Sequence, residues 1–344
     1  MTTLIVLRDG TDEERLGEVV DRLRDAGVPC RSHSATVLSS PSPAARVGAV
    51  LAGLPQVAQV SALSGDYPLA ARQSAAEGTR VRLGRTLIGG PDVVVIAGPC
   101  AVESRDQLLT TAAAVRDAGA QALRAGVFKP RTSPYSFQGL GADGLKLAAE
   151  ARRETGLPVV SEVLDVRDVE LMAGSVDMLQ IGARNVQNYP LLREVGASGL
   201  PVLLKRGAGT TIDETLMAAE YLLDAGNHQV VLCERGIRSF ETGYRFSLDL
   251  TAVTVFRERT HLPVIVDPSH AAGRRSRVIP LALAAAAAGA DGVIVEVHCD
   301  PETARCDAEQ ALHVADLPAL MAGLRPAAAA AGRQLAATPA GASG

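Results

Sequence analysis

Cationic side chains are concentrated in one short stretch of the chain, LRAGVFKPRTSPYSFQGLG (123–141). Arg124, Lys129, Arg131 and Thr132 lie within nine residues, directly after an apolar run. Lysine and arginine are costly to desolvate, so such a cluster beside a buried strand indicates an anionic ligand. Ordinary surface charges on a solvated loop are the alternative, and this stretch alone does not decide between the two.

Further residues with catalytic or ligand-binding chemistry lie at the ends of other apolar runs. They include a thiol, two imidazoles, several carboxylates and more cations: Cys100, Glu162, Arg184, Lys205, Arg206, Glu234, Arg235, Asp267, His270, Glu296 and His298. Surface charges could fall anywhere along the chain. Their position after successive apolar runs therefore predicts that one edge of the fold collects them.

The apolar runs repeat over residues 91–325, and each is followed by a polar loop and an amphipathic helix. There are eight of them: VVVIAG (93–98), ALRAGV (122–127), PVVSEV (158–163), MLQIGA (178–183), PVLLKR (201–206), QVVLCE (229–234), PVIVDP (263–268) and GVIVEV (292–297). They lack clean alternation, as expected for parallel strands that are buried on both faces. Eight such units predict a (β/α)8 TIM barrel rather than a doubly wound sheet, which needs fewer strands.

An anion-binding site is expected where the strands of this barrel end. Five basic side chains come from four different strands: Arg124, Lys129, Arg184, Lys205 and Arg235. So many cations repel one another unless a strongly anionic ligand, such as one with two phosphates, neutralises them. A salt bridge to a barrel carboxylate is the alternative for each cation taken alone.

A metal site is expected at the same rim. Cys100, His270 and Glu296 end strands one, seven and eight, which are neighbours in a closed barrel. Asp307, on the following loop, could supply a fourth ligand. A thiolate, an imidazole and two carboxylates suit a divalent Mn, Fe, Co or Zn ion. A structural zinc site would have more cysteines at CxxC spacing, and an isolated buried cysteine would be an inert hydrophobe.

The chain divides into further segments on either side of the barrel. Residues 1–65 show the order βαββαβ, which predicts a small α+β ferredoxin-like domain with a regulatory role. Residues 66–90 predict a linker and a short hairpin, and residues 326–344 predict an alanine-rich, disordered tail. The expected fold class is therefore α/β, a (β/α)8 barrel that follows a small ferredoxin-like domain.

Composition and charge argue against several other function classes. The 344 residues are 47% hydrophobic and carry a formal net charge of -4, which gives no electrostatic case for binding nucleic acid or an anionic membrane. No apolar run is long enough to span a bilayer, and the N-terminus lacks the pattern of a signal peptide. Five cysteines without an export signal favour reduced thiols, so we expect a cytoplasmic protein.

Taken together and in order, the motifs of the chain resemble those of a known family. AGPC, LRAGVFKPRTSPYSFQGLG, QIGARN, LLKRG, LCERGIRSFE, VDPSH and VEVH resemble 3-deoxy-D-arabino-heptulosonate 7-phosphate (DAHP) synthase. The similarity covers residues 90–320 and is greatest to the type Iβ branch, which carries a ferredoxin-like extension. It implies a transferase that condenses phosphoenolpyruvate with erythrose 4-phosphate and water. The products would be DAHP and phosphate, in the first step of the shikimate pathway to chorismate and the aromatic amino acids.

The resemblance also implies roles for residues at matching positions. The phosphoenolpyruvate site would comprise Arg124, Lys129, Ala183, Arg184, Lys205, Glu234 and Arg235. The erythrose 4-phosphate site would comprise Pro130, Arg131, Thr132 and Asp267. The metal, Mn²⁺ first with Fe²⁺, Co²⁺ and Zn²⁺ as alternatives, would be held by Cys100, His270, Glu296 and Asp307. The catalytic groups would be Lys129, His270 and Cys100.

Two alternative functions stay open. The sister family makes 3-deoxy-D-manno-octulosonate 8-phosphate from arabinose 5-phosphate and usually has a KANRSS-like stretch where this chain has KPRTS (129–133), which favours the four-carbon sugar. A barrel that only senses a phosphorylated metabolite would show gaps in the metal set or among the cations, and none is seen. Ala271, Ala272 and Phe246 depart from the Ser, Gly and Asn that are usual in the family.

Family likeness also predicts partners of the N-terminal domain and of the whole chain. The domain would bind tyrosine or phenylalanine and inhibit the barrel, and a domain that only helps assembly is the alternative. The expected oligomer is a homotetramer.

Overall fold

The computed structural model describes residues 2–8, 10–63, 65–75 and 77–337. Its strands are β1 (Thr2–Leu7), β2 (Arg31–Ser32), β3 (Val37–Ser40), β4 (Val57–Leu63), β5 (Val81–Leu83), β6 (Thr86–Ile88), β7 (Asp92–Gly98), β8 (Ala122–Arg124), β9 (Val159–Val163), β10 (Met178–Ile181), β11 (Val202–Lys205), β12 (Val230–Glu234), β13 (Val264–Val266), β14 (Gly292–His298), β15 (Leu312–His313) and β16 (Gln334–Leu335). Its helices are α1 (Glu13–Asp25), α2 (Ala44–Leu51), α3 (Arg105–Asp117), α4 (Ala142–Thr155), α5 (Val169–Ala173), α6 (Tyr189–Ala197), α7 (Ile212–Asp224), α8 (Leu250–Arg259), α9 (Pro268–Ala272), α10 (Arg275–Ala287) and α11 (Leu317–Ala330). Within these ranges, no helix is long and apolar enough to cross a membrane.

The first four strands form a separate antiparallel sheet in the order β2-β3-β1-β4. Helix α1 begins after Asp12, whose side chain accepts a hydrogen bond from the Arg15 amide. Val19 and Leu23, one turn apart on α1, are buried against Ile5 of β1. The element order and the strand order are those of a ferredoxin-like fold.

Strands β7 to β14 form a closed parallel barrel surrounded by helices. Each pairs with the next along the chain, and β14 pairs with β7 from Gly292 opposite Val94 to Glu296 opposite Gly98. Each of the eight predicted apolar runs overlaps one of these strands, and β7 and β14 extend one residue beyond their runs. The predicted fold class is confirmed.

A hairpin closes the amino end of the barrel. Strands β5 and β6 pair with Val81 opposite Ile88, and both side chains are fully buried. They pack against Val94 and Ile96, which point into the barrel. The hairpin occupies this end, so the carboxyl ends of the strands are left for a functional site.

The C-terminal segment corrects one prediction. Residues 326–337, predicted to belong to a disordered tail, continue α11 to Ala330 and form β16, which pairs with the start of β7. Alanine is the strongest helix former, which explains the helix. The Arg333 guanidinium donates to the carbonyls of Gly90 and Asp92 at 2.8 and 3.1 Å and holds the strand in place. Residues 338–344 lie outside the described part of the chain.

Candidate active site

The carboxyl ends of the barrel strands surround one cavity of about 520 Å³. Eight of the residues predicted to bind substrate line it: Lys129, Pro130, Arg131, Thr132, Ala183, Arg184, Lys205 and Arg235. Two of the predicted metal ligands, His270 and Asp307, line it as well. The structure therefore joins the expected anion site and the expected metal site in one space.

Positive charge in this cavity is only partly neutralised by the protein. Four of its arginines have no carboxylate partner among the described residues: Arg131, Arg184, Arg235 and Arg238. The Arg235 guanidinium lies 4.3 Å above the Phe246 ring, and burial lowers its pKa. Arg235 is buried and the other three are at least partly exposed, so the four guanidinium groups favour an anionic ligand mainly because it would relieve their mutual repulsion in one cavity.

Two lysines at the floor of the cavity are held by fixed partners. Lys205 is 3% exposed and donates to Asp267, which is fully buried. Lys129 is 5% exposed, and its Nζ lies 3.0 Å from the Cys100 Sγ. Because both ammonium groups are immobilised, they present charge to the cavity from defined positions.

The four predicted metal ligands come together below the cavity. One potential ligand atom from each of Cys100, His270, Glu296 and Asp307 lies within 4.8 Å of all the others. Cys100 follows β7 and Glu296 lies in β14, so closure of the barrel makes them neighbours. His270 lies in α9, directly after β13, and Asp307 is on the loop after β14. Barrel closure thus assembles ligands that are up to 207 residues apart in the chain.

Hydrogen bonding in this cluster fits a bound cation. The Asp267 carboxylate lies 2.7 Å from the His270 Nδ1, and burial lowers the pKa of His270, so the neutral ring carries its proton on Nδ1 and donates it to Asp267. The His270 Nε2 is then an acceptor, and when Glu296 is ionised it lies 3.1 Å from another acceptor, the Glu296 Oε1. That oxygen is buried and has no hydrogen-bond partner in the described part of the chain. A divalent cation held by His270 and Glu296 would satisfy both atoms.

The charge of Glu296 supports the same interpretation. Burial, and then the neighbouring Cys100, raise the pKa of Glu296 to about 8. Arg124, with its Nη2 at 3.3 Å from the Glu296 Oε1, offsets only part of this cost. A carboxylate whose charge is compensated only in part is a suitable ligand for a metal ion.

The backbone is adapted to these ligands at two positions. A Cβ atom on Gly126 would lie 2.2 Å from the Cys100 carbonyl oxygen, so only glycine lets the chain after β8 pass the Cys100 loop. Asp307 has a φ of 53°, and it is the one non-glycine residue of the described chain with a positive φ. A left-handed conformation is costly for most residues and occurs often at ligand-binding positions.

Three residues predicted to touch substrate do not line the cavity. Arg124 is 4% exposed and is paired with Glu296. Glu234 is fully buried and accepts hydrogen bonds from the Arg206 guanidinium at 2.9 Å and from the Gly236 amide at 2.6 Å. Asp267 is occupied by Lys205 and His270. The polar groups of these three residues bind other protein groups in the barrel wall. Their geometry therefore suits them to hold neighbouring side chains in place instead of contacting a substrate.

Several residues around the site were not predicted from the sequence. The loop between β12 and α8 adds Arg238, Arg245 and Phe246 to the cavity wall. The arginines of GIRSFETGYRF (236–246) were an available signal, whereas Phe246 was noted only as a departure from the family pattern. Gln180 donates to Glu162 at 3.2 Å, and no motif indicated its role.

Comparisons with known proteins agree with this geometry. The profile described as the DAHP synthetase I family matches residues 69–325. The phospho-2-dehydro-3-deoxyheptonate aldolase of Thermotoga maritima is 44% identical over 313 residues, which are 90% of this chain and 93% of that protein. The 2-dehydro-3-deoxyphosphooctonate aldolase of Syntrophobacter fumaroxidans is 34% identical over 258 residues, which are 70% of this chain and 88% of that protein.

Solved structures show the same relationship. A crystal structure of the Thermotoga maritima DAHP synthase superposes with a TM-score of 0.77 and 40% identity, covering 97% of this chain and 99% of that one. A truncated form of the same synthase has a TM-score of 0.74 and 43% identity, covering 79% of this chain and all of that one. The chain therefore belongs to the DAHP synthetase I family.

Proposed function

We propose that this protein is a metal-dependent DAHP synthase, which condenses phosphoenolpyruvate and erythrose 4-phosphate with water to give DAHP and phosphate. The observation that carries this proposal is one cavity in which four arginines, without carboxylate partners among the described residues, lie beside four residues that could hold a metal ion. The two substrates together bring two phosphates and a carboxylate, which matches such a cavity in charge. The higher identity to the DAHP synthase of Thermotoga maritima than to the octulosonate enzyme supports the same choice.

The cationic side chains divide into two proposed subsites. Arg184, Lys205 and Arg235 would hold phosphoenolpyruvate, with Ala183 beside them in the wall. Arg131 and Thr132, preceded by Pro130, would hold the phosphate of the sugar. Arg184 donates to the Pro130 carbonyl at 3.4 Å, so the two subsites are in contact. Bound in this way, the two substrates would meet above Lys129.

The reaction needs one new bond between carbons and the loss of phosphate. The third carbon of phosphoenolpyruvate attacks the aldehyde carbon of the sugar, water adds to the second carbon, and the bond from that carbon to the phosphate oxygen breaks. A divalent ion held by the four-residue cluster would supply Lewis-acid polarisation of the aldehyde oxygen. The Lys129 ammonium is the proposed proton donor, and Arg235 and Lys205 stabilise the anionic groups as charge redistributes. Asp267 keeps both Lys205 and His270 in place.

Mn²⁺ is our first choice for the ion, with Fe²⁺, Co²⁺ and Zn²⁺ as alternatives. The donor set has one thiol, one imidazole and two carboxylates. Mixed sulfur, nitrogen and oxygen donors accept all four ions, so geometry and availability select among them. Metal analysis of the purified protein by mass spectrometry would identify the native ion.

The test is phosphate release from phosphoenolpyruvate in the presence of either erythrose 4-phosphate or arabinose 5-phosphate. Each assay is run before and after chelation, and again with Mn²⁺ restored. We expect metal-dependent release with the four-carbon sugar. Release with only the five-carbon sugar would assign the octulosonate activity of the Syntrophobacter fumaroxidans relative. No release with either sugar would support a metabolite sensor.

We further propose that the N-terminal domain, residues 1–65, has a regulatory role. Residues 66–90 would form the linker and hairpin that join it to the barrel. The linker is held to the barrel, because the Leu69 and Ala70 amides each donate to the Glu220 carboxylate at 2.8 Å. Deletion of residues 1–65 retains this contact. It should abolish inhibition by tyrosine or phenylalanine while retaining turnover, and unchanged inhibition would place the effector elsewhere.

Family likeness supports two further proposals, a homotetramer and a cytoplasmic location. Light scattering on the purified full chain would give the mass of the oligomer. Cell fractionation would test the location.

A further inference from the structure

Gln310 is a buried amide that lies between the metal cluster and the substrate cavity. It is 2% exposed and follows the metal ligand Asp307 by three residues. Its Nε2 donates to the Glu296 Oε2 at 2.6 Å. Its Oε1 accepts from the Arg245 Nη1 at 2.8 Å. Both ends of the amide are therefore used, one by a metal ligand and one by a cation of the cavity wall.

This pairing fixes the orientation of the amide. Glu296 needs a donor and Arg245 needs an acceptor, and an amide offers one of each at opposite ends. A flipped Gln310 would put its oxygen against a carboxylate and its nitrogen against a guanidinium. The orientation is thus determined by its two partners, and the amide in turn holds Glu296.

The hydrogen bond also decides which oxygen of Glu296 is free. Its Oε2 is occupied by Gln310, whereas its Oε1 faces the His270 Nε2 at 3.1 Å and has no hydrogen-bond partner among the described residues. Without Gln310, the carboxylate could rotate and turn either oxygen away from the other ligands. A ligand that is held in place before the ion arrives binds it more tightly.

Arg245 extends this network into the cavity. Its guanidinium lies 3.5 Å from the Asp307 carboxylate, in addition to its bond with Gln310, and its side chain lines the cavity wall. Two of the four metal ligands are therefore linked to one cation on the substrate side, Asp307 directly and Glu296 through Gln310.

We propose that Gln310 is a positioning residue for the metal centre, which holds Glu296 with its Oε1 towards the other three ligands and takes its own orientation from Arg245. This inference rests on the metal site proposed above. The alternative is a purely structural role, since the backbone N–H of Gln310 also donates to the Asp307 carbonyl at 3.1 Å within the loop. That backbone bond survives any side-chain substitution, so a side-chain variant separates the two roles.

The experiment is a Mn²⁺ titration of the metal-free full chain, in which the free ion is counted by electron paramagnetic resonance. Gln310→Met keeps the length of the side chain and removes both hydrogen bonds. We expect Mn²⁺ affinity to fall by about 10- to 100-fold, the usual effect of losing a group that orients a metal ligand. Arg245→Met should weaken binding by a smaller factor, because the bond from Gln310 to Glu296 remains.

Gln121→Met is the matched control. Gln121 is 1% exposed and makes hydrogen bonds with the Val95 amide and the Gly119 carbonyl at the amino end of β8, remote from the metal cluster. The Gln121→Met substitution should lower the melting temperature of the metal-free protein and leave its Mn²⁺ affinity unchanged.

Wild-type Mn²⁺ affinity in Gln310→Met would overturn the inference, whether or not that variant melts earlier. A failure of the metal site itself would look different. In that case the wild-type chain would not bind Mn²⁺, or Cys100→Ala would bind it as tightly as the wild type does. Either result would refute the proposed metal site and, with it, the role of Gln310.

Discussion

Replacing Arg206 with methionine should destabilise the fold, although Arg206 lies next to a residue of the substrate cavity. Its side chain is 7% exposed, and its Nη1 lies 2.9 Å from the Glu234 Oε2 and 3.1 Å from the Asp249 Oδ2. Its Nε donates to the Thr210 carbonyl at 2.9 Å. The guanidinium is therefore the counterion of a fully buried carboxylate and connects the end of β12 to the start of α8.

The magnitude follows from what the substitution leaves behind. Removing one partner of a buried ion pair costs about 3 to 5 kcal/mol, because the other charge stays in the interior without compensation. Burial already raises the pKa of Glu234, and Arg206 is the group that acts most strongly against this rise. Without Arg206 the pKa rises further, and protonation of Glu234 limits the loss. We therefore expect about 3 kcal/mol, at the lower end of the range.

Urea unfolding of the full chain at neutral pH measures this loss. Arg184→Met is the control: Arg184 is exposed and lines the cavity, so its removal should change stability by less than about 0.5 kcal/mol and raise the KM for phosphoenolpyruvate. The double variant Arg206→Met, Glu234→Gln should recover part of the stability, since the fully buried charge is then removed and only Asp249, which is 25% exposed, loses its cation. An Arg206→Met protein as stable as the wild type would refute this description of the pair.

Three further predictions concern the site and the linker. Lys129→Met should lower turnover in the phosphate-release assay by at least about 100-fold, because it removes the proposed proton donor. Gly126→Ala places a Cβ atom 2.2 Å from the Cys100 carbonyl oxygen, so this loop must move, and Mn²⁺ affinity in the titration should fall by roughly tenfold or more. His261→Gln should remove a loss of about 2 kcal/mol in the free energy of unfolding between pH 7 and 5, because burial lowers the pKa of His261 to about 4 and the unfolded chain binds its proton first.

The sign and size of the histidine effect can be worked out. His261 is neutral in the fold, where its Nε2 donates to the Leu69 carbonyl at 2.7 Å. Its contribution is present above pH 6.5 and is lost as the pH falls towards 4, by about 2 kcal/mol between pH 7 and 5. Glu220, whose pKa burial raises to about 7, acts in the opposite direction over much of this window. The measured quantity is therefore the difference between wild type and His261→Gln, and equal slopes for the two proteins would contradict the prediction.

The controls for the other two predictions use the same assays. Lys146→Met removes an exposed lysine of α4 that is paired with Asp143, and it should leave turnover unchanged. Near-wild-type turnover in Lys129→Met would remove that residue from the mechanism. Unchanged Mn²⁺ affinity in Gly126→Ala would show that the Cys100 loop tolerates the added atom without moving its thiol.

The sequence by itself determined the barrel, because its signals are local. Each strand is a short apolar run, and helices begin at capping residues that can be recognised in the sequence. Thr211 and Glu214 form a capping box at the start of α7, and Ser104 accepts from the Gln107 amide at the start of α3. The proposed metal ligands could be predicted for the same reason: three of them lie at the ends of strands that a closed barrel must bring together.

Only the tertiary structure decided which charges face the substrate. Lys205 and Arg206 are adjacent in the chain, yet the first lines the cavity and the second is buried against Glu234. Successive side chains of a strand point to opposite sides, and which side is wall or cavity depends on neighbouring strands that are distant in the chain. The same limit applies to Gln310, whose two partners come from different loops and strands. Side-chain types show which chemistry is available, and long-range packing decides which groups are free to perform it.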